Sequence, residues 1–125
     1  MARKKSPTPT EAELRFMDIL WKRGPATVSD VVDALPKKQP LAYSTVLTTL
    51  RILEEKGYLR HTKEGRAFVY HPVVDKRQAG RSAVRWLLSR FFGGSRERLL
   101  VHLLAEEKVD AAEMKRLRKR IAEPE

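Results

Sequence analysis

The chain contains no cysteine among its 125 residues. This absence excludes disulfides, thiolate metal sites and a cysteine nucleophile, and it is consistent with a reducing cytoplasm. Long apolar runs are also absent, because no segment approaches the ~20 residues needed to span a bilayer. The basic start MARKKSPTPT is followed by no apolar stretch, so it does not resemble a secretory signal. We therefore expect a cytoplasmic protein without direct membrane association, in which residues 1–9 form a disordered basic arm.

Motifs of catalysis are missing too. The sequence has no nucleophile elbow, no P-loop and no HExxH motif. His61, His71 and His102 are far apart and have no cysteine or paired carboxylate at ligand spacing, so we interpret them as structural histidines. We expect a protein that is not an enzyme and that holds no metal and no cofactor.

The chain has fewer acidic than basic residues. The chain has 26 Lys and Arg residues against 16 Asp and Glu residues, a net charge of +10. A small basic chain of this kind favours a polyanion partner or an anionic membrane surface over a surface that is merely solubilising. The charge by itself does not identify the polyanion.

Local patterns predict three short helices followed by a β-hairpin. Capping boxes at Thr10–Glu13 and Thr27–Asp30 begin the first two helices, and a third is predicted from about Tyr43 to Lys56 with Gly57 as its left-handed cap. Two strands, 58–63 and 66–71, are joined by Glu64-Gly65, a two-residue hairpin signal. This order predicts a mainly α-helical fold with a small β-hairpin, a winged helix-turn-helix domain over residues 10–74.

The third helix has an unusual exposed face. Helical periodicity places Val46, Leu50 and Leu53 on the buried side, with Tyr43 and Leu47 at its margin. Ser44, Thr48 and Arg51 lie on the opposite side and Thr45 flanks them. Threonine lowers helix propensity, so a helix facing only water gains from longer charged side chains, whereas short side chains suit a helix in a DNA major groove. The simpler interpretation is that these hydroxyl residues are only tolerated there.

The predicted hairpin is basic around its turn. Arg60, Lys63 and Arg66 suit a wing that follows the DNA backbone or enters the minor groove, although an ordinary solvated tip accounts for Lys63. Phe68 and Tyr70 share one strand face, and we interpret both as core residues.

The remainder, residues 75–125, is predicted to be helical and to form a dimerisation region. Its helices are more apolar than lone helices can hide, which favours a dimer interface over packing onto the winged helix of the same chain. The candidate dimerisation residues are Val84, Leu87, Leu88, Phe91, Leu100, Leu103 and Leu104. Arg77, Arg81 and Arg85 form one basic stripe, interpreted as a solvated helix face with phosphate contact as the alternative.

The chain resembles the BlaI/MecI family of bacterial repressors, the penicillinase repressors. The similarity covers about residues 8–122, and its most specific part is the stretch from AYSTVLTTLRILEEKGYL to KEGRAFVYHP. The resemblance implies a homodimer that binds a palindromic operator in double-stranded DNA. By position, it implies base or phosphate contacts from Ser44, Thr45, Thr48 and Arg51, with Lys63 and Arg66 on the wing. Ile52 replaces an Arg that family members often carry, so the operator sequence does not transfer.

The resemblance also implies a route of release. In well-known family members a membrane-bound zinc protease acts as sensor, and the repressor is cut between Asn and Phe. The corresponding position here is His102-Leu103, so the Asn-Phe pair is absent. The resemblance therefore implies DNA binding and dimerisation for this chain, and it adds a membrane-bound sensor protease as a candidate partner. The alternatives are a non-specific or architectural DNA-binding protein and a protein-interaction module built on a winged helix.

Overall fold

Two capping boxes begin the first two helices of the computed structural model, which describes residues 8–123. The Thr10 hydroxyl accepts from the Glu13 N–H at 3.2 Å, and the Glu13 carboxylate accepts from the Thr10 N–H at 3.0 Å. Thr27 and Asp30 make the same pair of bonds at 3.1 and 3.0 Å. The hydrogen bonds from the backbone and side chain of Thr27 lower the pKa of Asp30. Both predicted capping boxes are confirmed.

Helices dominate the described residues, and three short strands form one sheet. The elements in chain order are α1 Glu11–Arg23, β1 Ala26–Thr27, α2 Val28–Ala34, α3 Tyr43–Glu55, β2 Leu59–Glu64, β3 Ala67–Pro72, α4 Lys76–Phe91, α5 Arg96–Glu106 and α6 Ala111–Ala122. This confirms the predicted winged helix-turn-helix with further helices after it. Within residues 8–123, no helix combines the length and apolar character needed to cross a membrane. The chain divides into two compact units, and the division falls between Val84 and Arg85, inside α4.

The strand β1 was not predicted. It consists of Ala26 and Thr27, which pair antiparallel with Tyr70 and Val69 of β3, so the sheet order is β1-β3-β2. Thr27 thus ends a strand and caps α2 at the same time. A two-residue strand has no alternation that a sequence pattern can reveal, so its pairing is visible only in the folded chain.

The hairpin forms, but both predicted strands were placed one residue too early. Glu64 pairs with Ala67, so the two-residue loop is Gly65-Arg66 and not Glu64-Gly65. Gly65 has a φ of +61°. A glycine with positive φ in the first loop position is typical of a type II′ turn, which matches the twist of a hairpin. Arg66 therefore lies in the turn itself.

The core of the first unit lies between α1, α2, α3 and the sheet. Its fully buried side chains are Phe16, Met17, Leu20, Val31, Val46, Leu50, Leu53 and Tyr70. Each large apolar side chain buried in this way stabilises the fold by about 1.5–3 kcal/mol. At the edge of this core, the Trp21 indole N–H donates to the Val74 carbonyl at 2.8 Å. This bond attaches α1 to the segment that leads into α4.

A buried ion pair connects the start of α1 to the end of α3. The Lys56 ammonium lies 2.6 Å from the Glu13 carboxylate, and their side chains are 6% and 9% exposed. Lys56 also donates to the Thr8 carbonyl at 3.3 Å. Because Glu13 closes the capping box of α1 as well, one carboxylate serves both contacts. The pair holds the end of α3 against α1.

The second unit is held together very differently. Among its described residues, Arg85 to Glu123, none is buried. Its helices are locally well formed: Ser95 accepts from the Arg98 N–H at 3.1 Å, and Asp110 accepts from the Glu113 N–H at 2.8 Å. Capping explains why these helices begin where they do, but the unit has no buried core of its own.

Candidate nucleic-acid interface

The helix α3 is anchored by one face and exposes the other. Val46, Leu50 and Leu53 are 0% exposed and belong to the core. Ser44, Thr45, Thr48 and Arg51, the residues predicted to contact DNA, are all exposed. The predicted division of this helix is therefore correct for these residues. Tyr43 is an exception, since it was placed at the margin of the buried face and is 54% exposed.

The hydroxyl groups of α3 are partly committed to the helix itself. Thr48 donates its hydroxyl proton to the Ser44 carbonyl at 2.9 Å, and Thr49 donates to the Thr45 carbonyl at 2.9 Å. A hydroxyl has one proton and two acceptor lone pairs. Thr48 in this state therefore offers an acceptor and a methyl group. The acceptor suits an amino group of adenine or cytosine, and the methyl group suits the methyl group of thymine.

The first turn of α3 is uncapped. Its N-cap residue is Ala42, and no side chain of the described residues caps it, whereas Thr10, Thr27, Ser95 and Asp110 cap the helices they precede. The first N–H groups of a helix have no partner within the helix. Substituting a capping residue by alanine costs about 0.5–2 kcal/mol, so α3 begins with less local stabilisation than its neighbours.

Arg51 lies close to the base of the wing. Burial and the Glu54 carboxylate raise the pKa of the Tyr70 hydroxyl, while the charge and a hydrogen bond of Arg51 oppose that rise. Tyr70 is 2% exposed, yet Arg51 itself is exposed. Arg51 is thus near enough to Tyr70 to influence its pKa, and it is still accessible from solution.

The wing presents its basic residues at its outer end. Lys63 is directly opposite Phe68, and Arg66 occupies the turn. Residues 63–68 are all exposed, which agrees with a contact surface and corrects the prediction that Phe68 is a core residue. The physical reason is distance along the hairpin: Tyr70 reaches the core, whereas Phe68, two residues nearer the tip, extends beyond it.

The three histidines have different neighbours. His61 Nδ1 lies 2.7 Å from the Glu54 carboxylate, and His71 Nε2 lies 2.9 Å from the Thr62 hydroxyl. The His102 ring meets the Phe92 ring edge-on, at a centroid distance of 5.6 Å. Sequence reasoning missed the role of His61 as a contact between α3 and the wing. The signal available was an acidic residue ending a helix and a histidine seven residues later, on either side of Gly57.

The candidate dimerisation residues are accessible in the single chain. Phe91 is 68% exposed and Leu100 is 56% exposed; Val84, Leu103 and Leu104 are also exposed, and Leu87 and Leu88 are half-buried. His102 and Leu103, the predicted counterpart of the family cleavage position, lie inside α5. A protease reaches a helical bond only when the helix opens locally.

Comparisons with known proteins agree with this architecture. Residues 9–123 match the family described as Penicillinase repressor. The chain is 32% identical to the penicillinase repressor of Bacillus licheniformis, over 91% of this chain and 89% of that protein. It is 39% identical to the transcriptional regulator BlaI of Mycobacterium tuberculosis, over 92% and 83% of the two chains. The solution structure of the DNA-binding domain of the repressor BlaI aligns with a TM-score of 0.52 at 38% identity, and the match covers 61% of this chain and 93% of that one.

Proposed function

The chain belongs to the penicillinase repressor family, and we propose that it represses transcription by binding a two-fold symmetric operator as a homodimer. Residues 10–74 bind the DNA, and residues 75–125 form the dimer. Repression is steric: the bound protein occludes a promoter, and the activity involves no chemistry and no cofactor. The protein acts where the chromosome is, in the cytoplasm.

The observation that carries this proposal is the exposed face of α3. Its opposite face is fixed in the core by Val46, Leu50 and Leu53, so the helix is held at a defined rotation with this face turned to solvent. The exposed side offers short side chains together with one long donor, Arg51. Short side chains let the backbone approach base edges, and an Arg can donate to guanine or to a phosphate. The uncapped first turn and the basic wing are consistent with an anionic neighbour.

Dimerisation is supported by the apolar side chains of the second unit. Phe91 and Leu100 expose more than half of their surface, and Leu103 and Leu104 more than a third. Exposed apolar groups at this density favour burial against another molecule. A second copy of the same chain is the proposed partner, because a two-fold dimer presents two recognition helices to successive major grooves, roughly 34 Å apart or a multiple of that.

We further propose that a membrane-bound sensor protease releases the protein from the operator by cleaving it. The position that corresponds to the family cleavage, His102-Leu103, is exposed but helical. Cleavage there requires local opening of α5. The measurement is the mass of the C-terminal fragment recovered from cells treated with a β-lactam. A chain that stays intact while its genes are induced would exclude this route.

The proposal is tested by selection from a random-sequence duplex library at near-physiological salt, followed by sequencing. We expect enrichment of a two-fold symmetric motif, bound at least roughly 10³-fold more tightly than unrelated DNA. A non-specific or architectural protein shows the same salt dependence, because counterion release drives both, but it enriches no motif. Absence of any DNA binding would favour a protein-interaction module.

A further inference from the structure

One side-chain contact connects α3 to the wing. Nδ1 of His61, on β2, lies 2.7 Å from one oxygen of the Glu54 carboxylate and 2.9 Å from the other. The two residues are close because the chain reverses between them, at Gly57, where φ is +88°. Both side chains are partly exposed, at 41% for His61 and 30% for Glu54. The contact therefore lies at the surface of the unit, beside the proposed DNA-binding face.

The chemistry of this contact fixes the orientation of the imidazole. An ionised carboxylate only accepts hydrogen bonds, so the proton of the bond resides on Nδ1 of His61. Hydrogen bonds to a charged acceptor are stronger than neutral ones. The bond forms whether the ring is neutral or positively charged, because Nδ1 carries a proton in both forms.

His61 also contacts β3, the opposite strand of the wing. It is paired with Tyr70 across the hairpin, and its ring centroid lies 5.7 Å from that of Tyr70 and 5.1 Å from that of Phe68. The Phe68 ring is nearly perpendicular to it, at 80°. Phe68 is in turn paired with Lys63 across the hairpin, so His61 lies between Glu54 of α3 and the part of the wing that carries this basic residue.

The outer half of the wing extends beyond the buried core. The base of the hairpin is anchored by the buried residues Tyr58, Leu59, Val69 and Tyr70, and β1 pairs with β3 at the last two of these. Residues 63–68, which follow His61 toward the turn, are all exposed. An exposed two-stranded ribbon is only marginally stable on its own. The bond from His61 to Glu54 lies at the inner end of this ribbon and connects it to α3.

Glu54 also needs an explanation. A carboxylate on a helix that faces DNA repels phosphates and lowers affinity by itself. The bond to His61 offsets this repulsion if it holds the wing in the position that binds DNA.

We propose that His61 is a positioning residue for DNA binding: held by Glu54, it sets the angle of the wing to α3, so that Lys63 and Arg66 meet the DNA while Thr48 and Arg51 occupy the groove. The DNA part of this inference rests on the proposed function. Its energetic basis is preorganisation, since a wing already held in place loses less conformational freedom on binding.

Four variants of the full chain separate this role from charge and from folding. Glu54→Gln and Glu54→Met remove the same charge, but only Gln keeps an oxygen that accepts from His61. His61→Ala removes the donor and the ring together. His71→Ala is the matched control, because His71 is a histidine of the same hairpin whose bond to the Thr62 hydroxyl stays within the wing. Circular dichroism and thermal unfolding establish that each variant is folded.

The first readout needs no DNA. The chain has no native cysteine, so a dye attached to Glu64→Cys labels the wing alone. Time-resolved fluorescence anisotropy then measures the amplitude of its local motion. We expect a larger amplitude in His61→Ala and Glu54→Met, and the wild-type amplitude in Glu54→Gln and His71→Ala. Equal amplitudes in Glu54→Gln and Glu54→Met would overturn the proposal.

The second readout uses the unlabelled variants and the duplex that the wild type enriches from a random library. Glu54→Met should bind this duplex roughly three- to ten-fold more weakly than Glu54→Gln, the loss expected for one hydrogen bond. Hydroxyl-radical footprints should lose protection at the wing while keeping it at α3. A mobile wing with unchanged affinity and footprint would also overturn the proposal. If the wild type enriches no motif, the proposed function fails, whereas the anisotropy result still decides whether His61 holds the wing.

Discussion

The two units of the chain use similar residues in opposite ways. Leu50 in the first unit is 0% exposed, whereas Leu100 in the second is 56% exposed. The first unit adds a buried ion pair between α1 and α3, and the second has no buried residue in its described part, from Arg85 to Glu123. The first unit thus encloses a core and presents one helix face, while the second presents its apolar side chains. From this difference we expect the first unit to be stable as a single chain and the second to depend on the proposed assembly.

The largest effect is expected from breaking the buried ion pair of the first unit. Lys56→Met leaves the Glu13 carboxylate buried without its cation, and we expect a loss of about 3–5 kcal/mol in unfolding free energy. Urea unfolding measures it in a Trp86→Phe background, where Trp21 alone reports on the first unit. Lys38→Met, at an exposed lysine, is the control. A second control, Glu13→Gln with Lys56→Met, should recover part of the loss, and equal stabilities for Lys56→Met and Lys38→Met would contradict the account.

The same substitution in the two units tests the comparison directly. Leu50→Ala empties a fully buried site and should cost the first unit about 2–5 kcal/mol. Leu100→Ala should change the stability of that unit by roughly 0.5 kcal/mol or less and should instead raise the concentration at which the chain dimerises. Urea unfolding and sedimentation velocity separate the two outcomes. A large loss of first-unit stability from Leu100→Ala would show that the units are not independent.

A smaller effect is expected on the exposed face of α3. Arg51→Ala should weaken operator binding by about 1–3 kcal/mol and relax the preference at one base pair if the side chain donates to guanine. Competition binding against duplexes altered one base pair at a time measures this. The control is Lys63→Ala on the wing, for which we expect a uniform loss and a reduced salt slope. A uniform loss from Arg51→Ala would instead identify it as a phosphate contact.

The smallest effect concerns the capping box of α2. Hydrogen bonds from Thr27 lower the pKa of Asp30, so its ionised form is preferred in the folded state. The resulting stabilisation is present above the pKa of the unfolded chain and is lost as the pH falls through the lower folded pKa. We expect Asp30→Asn to reduce the urea midpoint at neutral pH and to match the wild type near the acid end. If the urea midpoints of Asp30→Asn and the wild type still differ by the same amount at acid pH, the effect does not come from the ionisation of Asp30.

Local patterns predicted the features that depend on neighbours in sequence. The capping boxes at Thr10 and Thr27 need residues three positions apart, and the buried face of α3 follows from helical spacing. Features that depend on distant residues were missed. The pairing of Ala26 with Tyr70 and the ion pair of Glu13 with Lys56 join positions more than forty residues apart, and no local period records such contacts.

The candidate site shows the same limit. The exposure of Ser44, Thr48 and Arg51 was predictable because helical geometry divides buried from exposed positions. The hairpin turn was placed one residue too early, since only the pairing of Glu64 with Ala67 decides which residues form the turn. The exposure of Phe68 depends on how far the hairpin extends beyond the core, and its sequence neighbours do not determine that.

The most direct test of this division of roles compares a full operator duplex with a duplex that carries one half-site. Both are titrated with the wild type and with the double variant Phe91→Glu/Leu100→Glu. We predict that the variant binds the half-site duplex as the wild type does, but loses the additional affinity that two half-sites give. A variant that keeps this additional affinity, or that fails to bind the half-site while still folded, would contradict the account.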